Sequence, residues 1–307
     1  MSVDLRAAAA QYLSDRRARG HCLADHDWMI AAFLDGLAAR GSGTITLADA
    51  VAFAIQPAGA QPVWHATRLR AVRGLAAYVH ALDPTAAELI PAKLIQAKTI
   101  RRPPYLYSSE EVAQLMSAAA TLSPPMLASS MHTLIGLLAA TGLRSGEAVG
   151  LDLADVCLEQ RTMTVTGKYG KRRIVPLHPT TVKALADYQD VRAHRAGPSG
   201  PLLIGAKGRR LNPNSARAAF RALAAECQLH ARPGCGPPRL HDLRHTFAVN
   251  SLIDAHREGA DVDARIAVLA NYLGHVEPAN TYWYLSASPE LMAAVCQRMN
   301  TPRKYRP

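Results

Sequence analysis

The sequence of 307 residues is poor in aromatic residues and cysteines and has no long apolar run. Its five cysteines are an odd number without CxxC spacing, which excludes a disulfide framework and a cysteine-rich zinc site. No apolar stretch approaches the roughly 18 residues needed to cross a bilayer. The N-terminal residues also lack the apolar core of a signal peptide. These absences predict a soluble cytoplasmic protein that makes no membrane contact.

Acidic residues are outnumbered by basic ones. The chain has 35 Lys and Arg against 24 Asp and Glu, a net charge of +11. This surplus favours a polyanionic partner, with surface charge that serves only solubility as the alternative. The apolar fraction of 49% and the length of the chain allow two domains with a sizeable core.

Apolar periodicity divides the chain into two predicted domains. Residues 1–82 are predicted to form a compact domain of four amphipathic helices. Residues 83–104 contain four prolines and a basic cluster, which predicts an extended linker able to follow a phosphate backbone. The second domain is placed at 105–300, with a tail at 301–307, and a capping-box pattern of Ser108 and Glu111 marks its first helix.

The second domain is predicted to be mainly helical with a small β-sheet. Residues 162–166 alternate apolar and polar, 167–170 form a turn, and 173–177 extend again, which is typical of a β-hairpin. A further short strand is expected at Leu202–Ile204. The fold class is therefore mainly α, with an α+β second domain.

Six side chains of the second domain suit phosphate chemistry: Arg144, Lys168, His241, Arg244, His275 and Tyr284. His241 and Arg244 are three apart at a predicted helix start, so they can reach one ligand. Two guanidinium groups would stabilise charge on phosphate oxygens. A tyrosine becomes a nucleophile when nearby cations favour its phenolate, and a hairpin lysine can protonate a leaving oxygen. This scheme requires no metal and no cofactor.

The order Arg, Lys, His-x-x-Arg, His, Tyr resembles the tyrosine recombinase, or phage integrase, family. The matching stretches are Thr141-Gly-Leu-Arg144-Ser-Gly-Glu147, Thr166-Gly-Lys168, His241-Asp-Leu-Arg244-His245, Leu273-Gly-His275 and Tyr284. The resemblance implies that 105–300 is the catalytic domain and that an all-α, SAM-like core-binding domain precedes it. It implies a site-specific recombinase that cleaves and rejoins double-stranded DNA through a 3′-phosphotyrosine, without metal or ATP. The compact layout of the chain favours a mobile genetic element as the setting, with a chromosome-dimer system as the alternative.

The resemblance also implies roles for single residues. Arg144 and Arg244 would bind phosphate, Lys168 would be the general acid, His241 and His275 would support them, Tyr284 would be the nucleophile, and Glu147 would support the site through hydrogen bonds. Tyr282 is an alternative nucleophile, but the spacing from His275 favours Tyr284. In this family four protomers usually assemble on two recombination sites. We therefore expect a homo-tetramer, acting alone or with paralogous recombinases or a directionality factor, in which residues 290–298 dock onto a neighbour.

Ten other basic residues are candidates for DNA contact, with solvated surface charge as the alternative: Arg68, Arg70, Arg73, Lys98, Arg101, Arg102, Lys171, Arg172, Arg217 and Arg221. Three rival functions are weighed against recombination. A zinc hydrolase built on His241 and His245 would lack the glutamate base of HExxH. A type IB topoisomerase would use the same tyrosine chemistry, and an inactive DNA-binding descendant would have lost part of the residue set.

Overall fold

The computed structural model describes residues 3–21, 23, 25–56, 58–97, 102–167 and 170–274. The chain forms two compact units, divided between Arg101 and Arg102. Each unit has its own cluster of buried apolar side chains. Among the helices in these ranges, none combines the length and the apolar character needed to span a membrane.

The first unit consists of four helices: α1 (Leu5–Ala18), α2 (His26–Ala39), α3 (Leu47–Ile55) and α4 (Pro62–Leu82). The predicted N-cap of α3 is confirmed, because the Thr46 hydroxyl accepts a hydrogen bond from the Asp49 N–H at 3.1 Å. Phe33 and Phe53 meet edge to face in the core, with ring centroids 5.4 Å apart. The predicted helical character of this region is therefore observed.

Arg68 is not available for the DNA contact that the sequence predicted. Only 7% of the residue is exposed. Its Nε and Nη2 donate to the Phe53 carbonyl at 3.1 and 2.9 Å, and its guanidinium carbon lies 3.8 Å from the centroid of the Phe53 ring. The prediction for Arg68 was wrong because this arginine joins α4 to the end of α3. Arg70 is exposed and Arg73 is half-buried, so both stay candidates.

The first part of the predicted linker at 83–104 is packed instead of extended. Ala86, Ala87 and Ile90 are buried in the core of the first unit. Ile45 N donates to Ala86 O at 2.9 Å, and Glu88 N donates to Ile45 O at 2.8 Å. The linker prediction was wrong here because it rested on the prolines of this segment, whereas the apolar side chains between those prolines pack into the core.

The second unit is mainly helical with one small sheet, as predicted. Its helices are α5 (Ser109–Ala120), α6 (Pro125–Thr141), α7 (Ser145–Gly150), α8 (Pro179–Ala193), α9 (Pro213–Glu226), α10 (Asp242–Arg257) and α11 (Val262–Leu273). The capping box of Ser108 and Glu111 is confirmed at the start of α5. Helix α6 is buried along most of its length and packs against α5, α8 and α10.

The sheet has three antiparallel strands in the order β1 (Val156–Cys157), β2 (Thr162–Thr166) and β3 (Arg172–Pro176). The predicted hairpin is β2–β3, and β1 adds an edge strand that the sequence did not reveal. The strand expected at Leu202–Ile204 was wrong. These three residues are fully buried, and their backbone makes an isolated bridge from Ile204 to Arg210 and single hydrogen bonds to Leu151 and Leu211 instead of a strand ladder. A short apolar run can be buried in a core without pairing with a neighbouring strand, so the run alone does not predict a strand.

Gly142 allows α6, α10 and α11 to meet. It ends α6 with φ of +61°, a conformation that side chains disfavour. A Cβ here would lie 2.4 Å from Cδ1 of Phe247, whose ring stacks on that of Tyr272 at 5.6 Å. Only glycine fits this position, and the contact brings the start of α10 next to the end of α11.

Candidate active site

The C-terminal end of α11 is held by three arginines from three other segments. The last carbonyl groups of a helix have no partner within the helix and carry a partial negative charge, so cations are stabilised there. The bonds are Arg173 Nε to Tyr272 O at 2.9 Å, Arg244 Nη2 to Leu273 O at 2.8 Å, and Arg144 Nη2 to Gly274 O at 3.2 Å. Two candidate phosphate-binding residues are thus brought together from positions far apart in the sequence.

Arg244 lies in the first turn of α10 and is 1% exposed. Besides Leu273 O, it donates from Nη1 to Gly142 O at 2.9 Å. Burying a guanidinium is costly unless its donors are satisfied, and carbonyl groups at two helix ends each accept from one terminal nitrogen here. The cation is therefore fixed in orientation before any ligand arrives.

Glu147 is bound by two arginines. Its Oε1 accepts from Arg144 Nη1 at 2.7 Å and from Arg173 Nη1 at 3.2 Å, and its Oε2 accepts from Arg173 Nη2 at 2.8 Å. Oε2 also accepts from the Arg144 backbone N–H at 3.0 Å, which caps α7. Burial raises the pKa of this carboxyl, but the hydrogen bonds from Arg173 and Arg144 outweigh burial and lower the pKa to about 2. Glu147 is therefore ionised at every physiological pH.

His241 directly precedes α10 and is exposed. Desolvation by surrounding atoms, followed by the charges of Arg244, Arg239 and Arg144, lowers its pKa to about 4. Its ring meets that of His245 edge to face, with centroids 4.9 Å apart. At neutral pH His241 is therefore an uncharged imidazole that can both donate and accept a hydrogen bond.

The start of α10 is anchored by a group of residues that sequence reasoning missed. The buried Asp242 carboxylate accepts from Arg239 Nη2 at 2.8 Å and from the Arg239 backbone N–H at 3.0 Å. Tyr107 donates its hydroxyl to Arg239 O at 3.0 Å, and its own N–H donates to the Thr246 hydroxyl at 3.0 Å. These bonds fix the backbone next to His241. An aspartate in the first turn of a helix is the only local signal that they leave in the sequence.

A cavity of about 520 Å³ opens beside His241. Arg217 and Arg221 of α9 line it and are exposed, together with Arg239. Three guanidinium groups give this cavity a positive character. Both predicted arginines of α9 therefore lie near the candidate site, and Arg217 donates to Asn214 at 3.0 Å.

The remaining predicted residues divide into two groups. Arg102, Lys171 and Arg172 are exposed. Lys98, Arg101, Lys168, His275 and Tyr284 lie outside the residues that the structure describes, as does the docking segment predicted at 290–298.

The sequence pattern of the phage integrase family matches residues 106–290. The chain belongs to the phage integrase family.

The similarity to relatives extends beyond residues 106–290 and covers nearly the whole chain. The Sinorhizobium fredii protein y4rB, an integrase/recombinase by name, is 37% identical over 303 residues, covering 96% of each chain. The tyrosine recombinase XerC of Mycobacterium tuberculosis is 32% identical over 304 residues, covering 97% of this chain and 92% of its own.

A solved structure of the Tn1549 transposon integrase in complex with transposon right end DNA superposes on this chain with a TM-score of 0.60. It is 18% identical, and the match covers 95% of this chain and 99% of that one. At this level of identity the likeness concerns the fold. The observed fold is accordingly that of a tyrosine recombinase with a mainly helical catalytic domain.

Within the residues that the structure describes, no three His, Cys, Asp or Glu side chains are grouped so that they could hold a metal ion. The His241–His245 pair of the rival hydrolase lies beside the buried guanidinium of Arg244. Membership of the phage integrase family favours recombination over a zinc hydrolase.

Proposed function

We propose that this integrase is a site-specific recombinase that cleaves and rejoins double-stranded DNA through a covalent 3′-phosphotyrosine. The observation that carries the proposal is the convergence of Arg144 and Arg244 on the end of α11, with His241 beside them. The shared binding of the Glu147 carboxylate further supports it.

In the proposed cleavage step, the phenolate oxygen of Tyr284 attacks the scissile phosphorus and the 5′-oxygen leaves. Arg144 and Arg244 bind the non-bridging oxygens, on which charge is stabilised during transfer. The neutral His241 donates a hydrogen bond to the same phosphate, and His275 supports it. Lys168 gives a proton to the leaving oxygen, so that a free 5′-hydroxyl results.

Rejoining is the reverse reaction on a new partner strand. A 5′-hydroxyl attacks the phosphotyrosine, the DNA backbone is restored and Tyr284 is released. The ester conserves the energy of the broken bond, so we propose that no ATP is consumed. The fixed guanidinium groups take the place that a metal ion has in other phosphoryl transfers.

We also propose a mobile genetic element as the setting, acted on in the cytoplasm. The names of y4rB and of the Tn1549 transposon integrase support this setting. The basic candidates Arg70, Arg73, Lys98, Arg101, Arg102, Lys171, Arg172, Arg217 and Arg221 are proposed to contact the DNA backbone, and the net charge of +11 agrees with such a partner.

Assembly as a homo-tetramer on two recombination sites belongs to the same proposal. An apolar cavity of about 860 Å³ between α5, α6 and α8 offers a face for a neighbouring protomer. Met116, Leu137, Leu185 and Val191 are among its lining residues. The apolar residues Leu291, Met292 and Val295 make 290–298 a suitable segment to occupy it.

Covalent trapping tests the function. The protein is incubated with nicked duplex DNA from the ends of its own element, resolved on a denaturing gel and mapped by mass spectrometry. We expect an adduct on Tyr284, formed equally well in EDTA. Tyr284→Phe should abolish the adduct and leave binding nearly unchanged, whereas the matched variant Tyr282→Phe should retain it. An adduct lost only in Tyr282→Phe would contradict the assignment, and no adduct from DNA that is bound tightly would indicate an inactive descendant.

A further inference from the structure

Arg173 of β3 has a role that its place among the basic residues of the hairpin does not reveal. Its side chain is 16% exposed, whereas the adjacent residues Arg172 and Ile174 face solvent. Both terminal nitrogens donate to the Glu147 carboxylate, and Nε donates to Tyr272 O at 2.9 Å. The two terminal nitrogens thus bind the carboxylate as a planar fork, and Nε binds a carbonyl at the C-terminal end of α11.

The charge balance around Glu147 depends on Arg173. The Glu147 side chain is 6% exposed, so its negative charge is poorly screened by water. With one arginine partner, the carboxylate and Arg144 would cancel to zero. With two, the trio keeps one net positive charge, and Arg144, whose side chain is 29% exposed, stays attractive to an anion.

Arg173 also touches two turns that lead into other candidate residues. A Cβ on Gly274 would lie 3.2 Å from Arg173 Nη1, and a Cβ on Gly167 would lie 3.6 Å from the same nitrogen. Gly274 directly precedes His275 and Gly167 directly precedes Lys168. One guanidinium therefore contacts the base of the hairpin, the start of α7 through Glu147, and the end of α11.

We propose that Arg173 is a positioning residue for strand transfer. It shares the Glu147 carboxylate so that Arg144 keeps its charge for the DNA phosphate, and it holds the hairpin against the end of α11. The inference rests on the proposed function, since it concerns the same reaction. Arg173 itself does not touch the phosphate.

The test compares rates of covalent adduct formation on nicked duplex for the full-length protein and four variants: Arg173→Ala, Arg173→Lys, Glu147→Gln and the double variant Arg173→Ala with Glu147→Gln. Rates are taken per folded molecule, with folding followed by circular dichroism. A misplaced catalytic group costs on the order of 10²-fold in rate. We expect Arg173→Ala to slow adduct formation by about 10²-fold, with DNA affinity changed less than about threefold, because the arginine lies behind the site. Arg173→Lys keeps the charge, so its rate of adduct formation should fall between those of the unaltered protein and Arg173→Ala.

The double variant separates charge sharing from simple loss of structure. Removing the charge of Glu147 frees Arg144 again, so the double variant should form the adduct about tenfold faster than Arg173→Ala. A purely structural role predicts that the double variant is as slow as Arg173→Ala or slower. Arg192→Lys is the matched control, because Arg192 is a buried arginine that binds the carbonyls of Pro201, Gly197 and Ser199 in another part of the unit. Its rate per folded molecule should match that of the unaltered protein.

The outcomes are distinct. An adduct formed by Arg173→Ala at the rate of the unaltered protein would overturn the inference and leave the proposed function standing. A double variant no faster than Arg173→Ala, or an Arg192→Lys as slow as Arg173→Ala, would also overturn it. If the unaltered protein forms no adduct, the proposed function fails and the inference fails with it.

Discussion

Replacing Gly142 with alanine should destabilise the second unit by about 3 kcal/mol. A left-handed conformation costs a residue with a Cβ ~1–2 kcal/mol. The new Cβ would lie 2.4 Å from Cδ1 of Phe247 and 3.1 Å from Leu273, so the junction of α6, α10 and α11 must shift. Overpacking of this kind costs ~1–3 kcal/mol, and the two effects add.

Gly146→Ala is the matched control. Gly146 lies in the short helix α7, has no heavy atom within 4 Å of an added Cβ and is exposed. Alanine favours a helix by about 1 kcal/mol over glycine, so this variant should be neutral or slightly more stable. The two substitutions are chemically identical and lie four positions apart in the sequence.

The assay is scanning calorimetry together with hydrogen exchange measured by mass spectrometry. A loss of about 3 kcal/mol in a unit of this size corresponds to a fall in Tm of roughly 6–12 °C. Exchange should accelerate in α10, whose Arg244 donates to Gly142 O, and stay unchanged in α4 of the first unit. Equal melting temperatures for Gly142→Ala and Gly146→Ala would refute the reasoning. The left-handed conformation and the Phe247 contact would then not lower the free energy of unfolding of Gly142→Ala.

Two further predictions concern the surroundings of α10. The pKa of His241 is lowered from 6.5 to about 4, so the unfolded chain binds more protons than the folded chain between these values, and stability should fall as the pH drops through this window. Urea unfolding midpoints against pH should show a shallower fall in His241→Gln, and an imidazole signal that titrates near pH 6.5 would contradict the lowered pKa. Tyr107→Phe removes the bond to Arg239 O and should cost about 1 kcal/mol, whereas Tyr105→Phe removes a 2.6 Å bond to the Glu111 carboxylate and should cost about 2 kcal/mol. Urea unfolding that ranks these two variants in the opposite order would show that the charge of the acceptor does not decide the loss.

The sequence predicted those features that depend on neighbouring residues. The capping box of Ser108, the alternation of β2 and the start of α10 at His241 are written in local patterns. The fold class followed from them, and the motif order indicated the family. The SAM-like character of the first unit and the roles of the site residues stay predictions.

Features that depend on distant partners could not be predicted in this way. Arg173 and Glu147 are 26 residues apart, and Tyr107 and Thr246 are 139 apart. Arg68 was misplaced for the same reason, since its burial depends on a carbonyl of α3 and not on its own helix pattern. A basic residue looks alike in sequence whether it faces solvent, a carboxylate or a helix end.

The manner in which Arg244 is buried has a consequence for how the site attracts its substrate. A carboxylate that accepts from a guanidinium cancels much of its field, whereas a carbonyl that accepts from it does not. The carbonyls of Gly142 and Leu273 are dipoles without net charge, so these two bonds orient the guanidinium without themselves cancelling its charge. The buried guanidinium is therefore already oriented to attract an anion before the anion arrives.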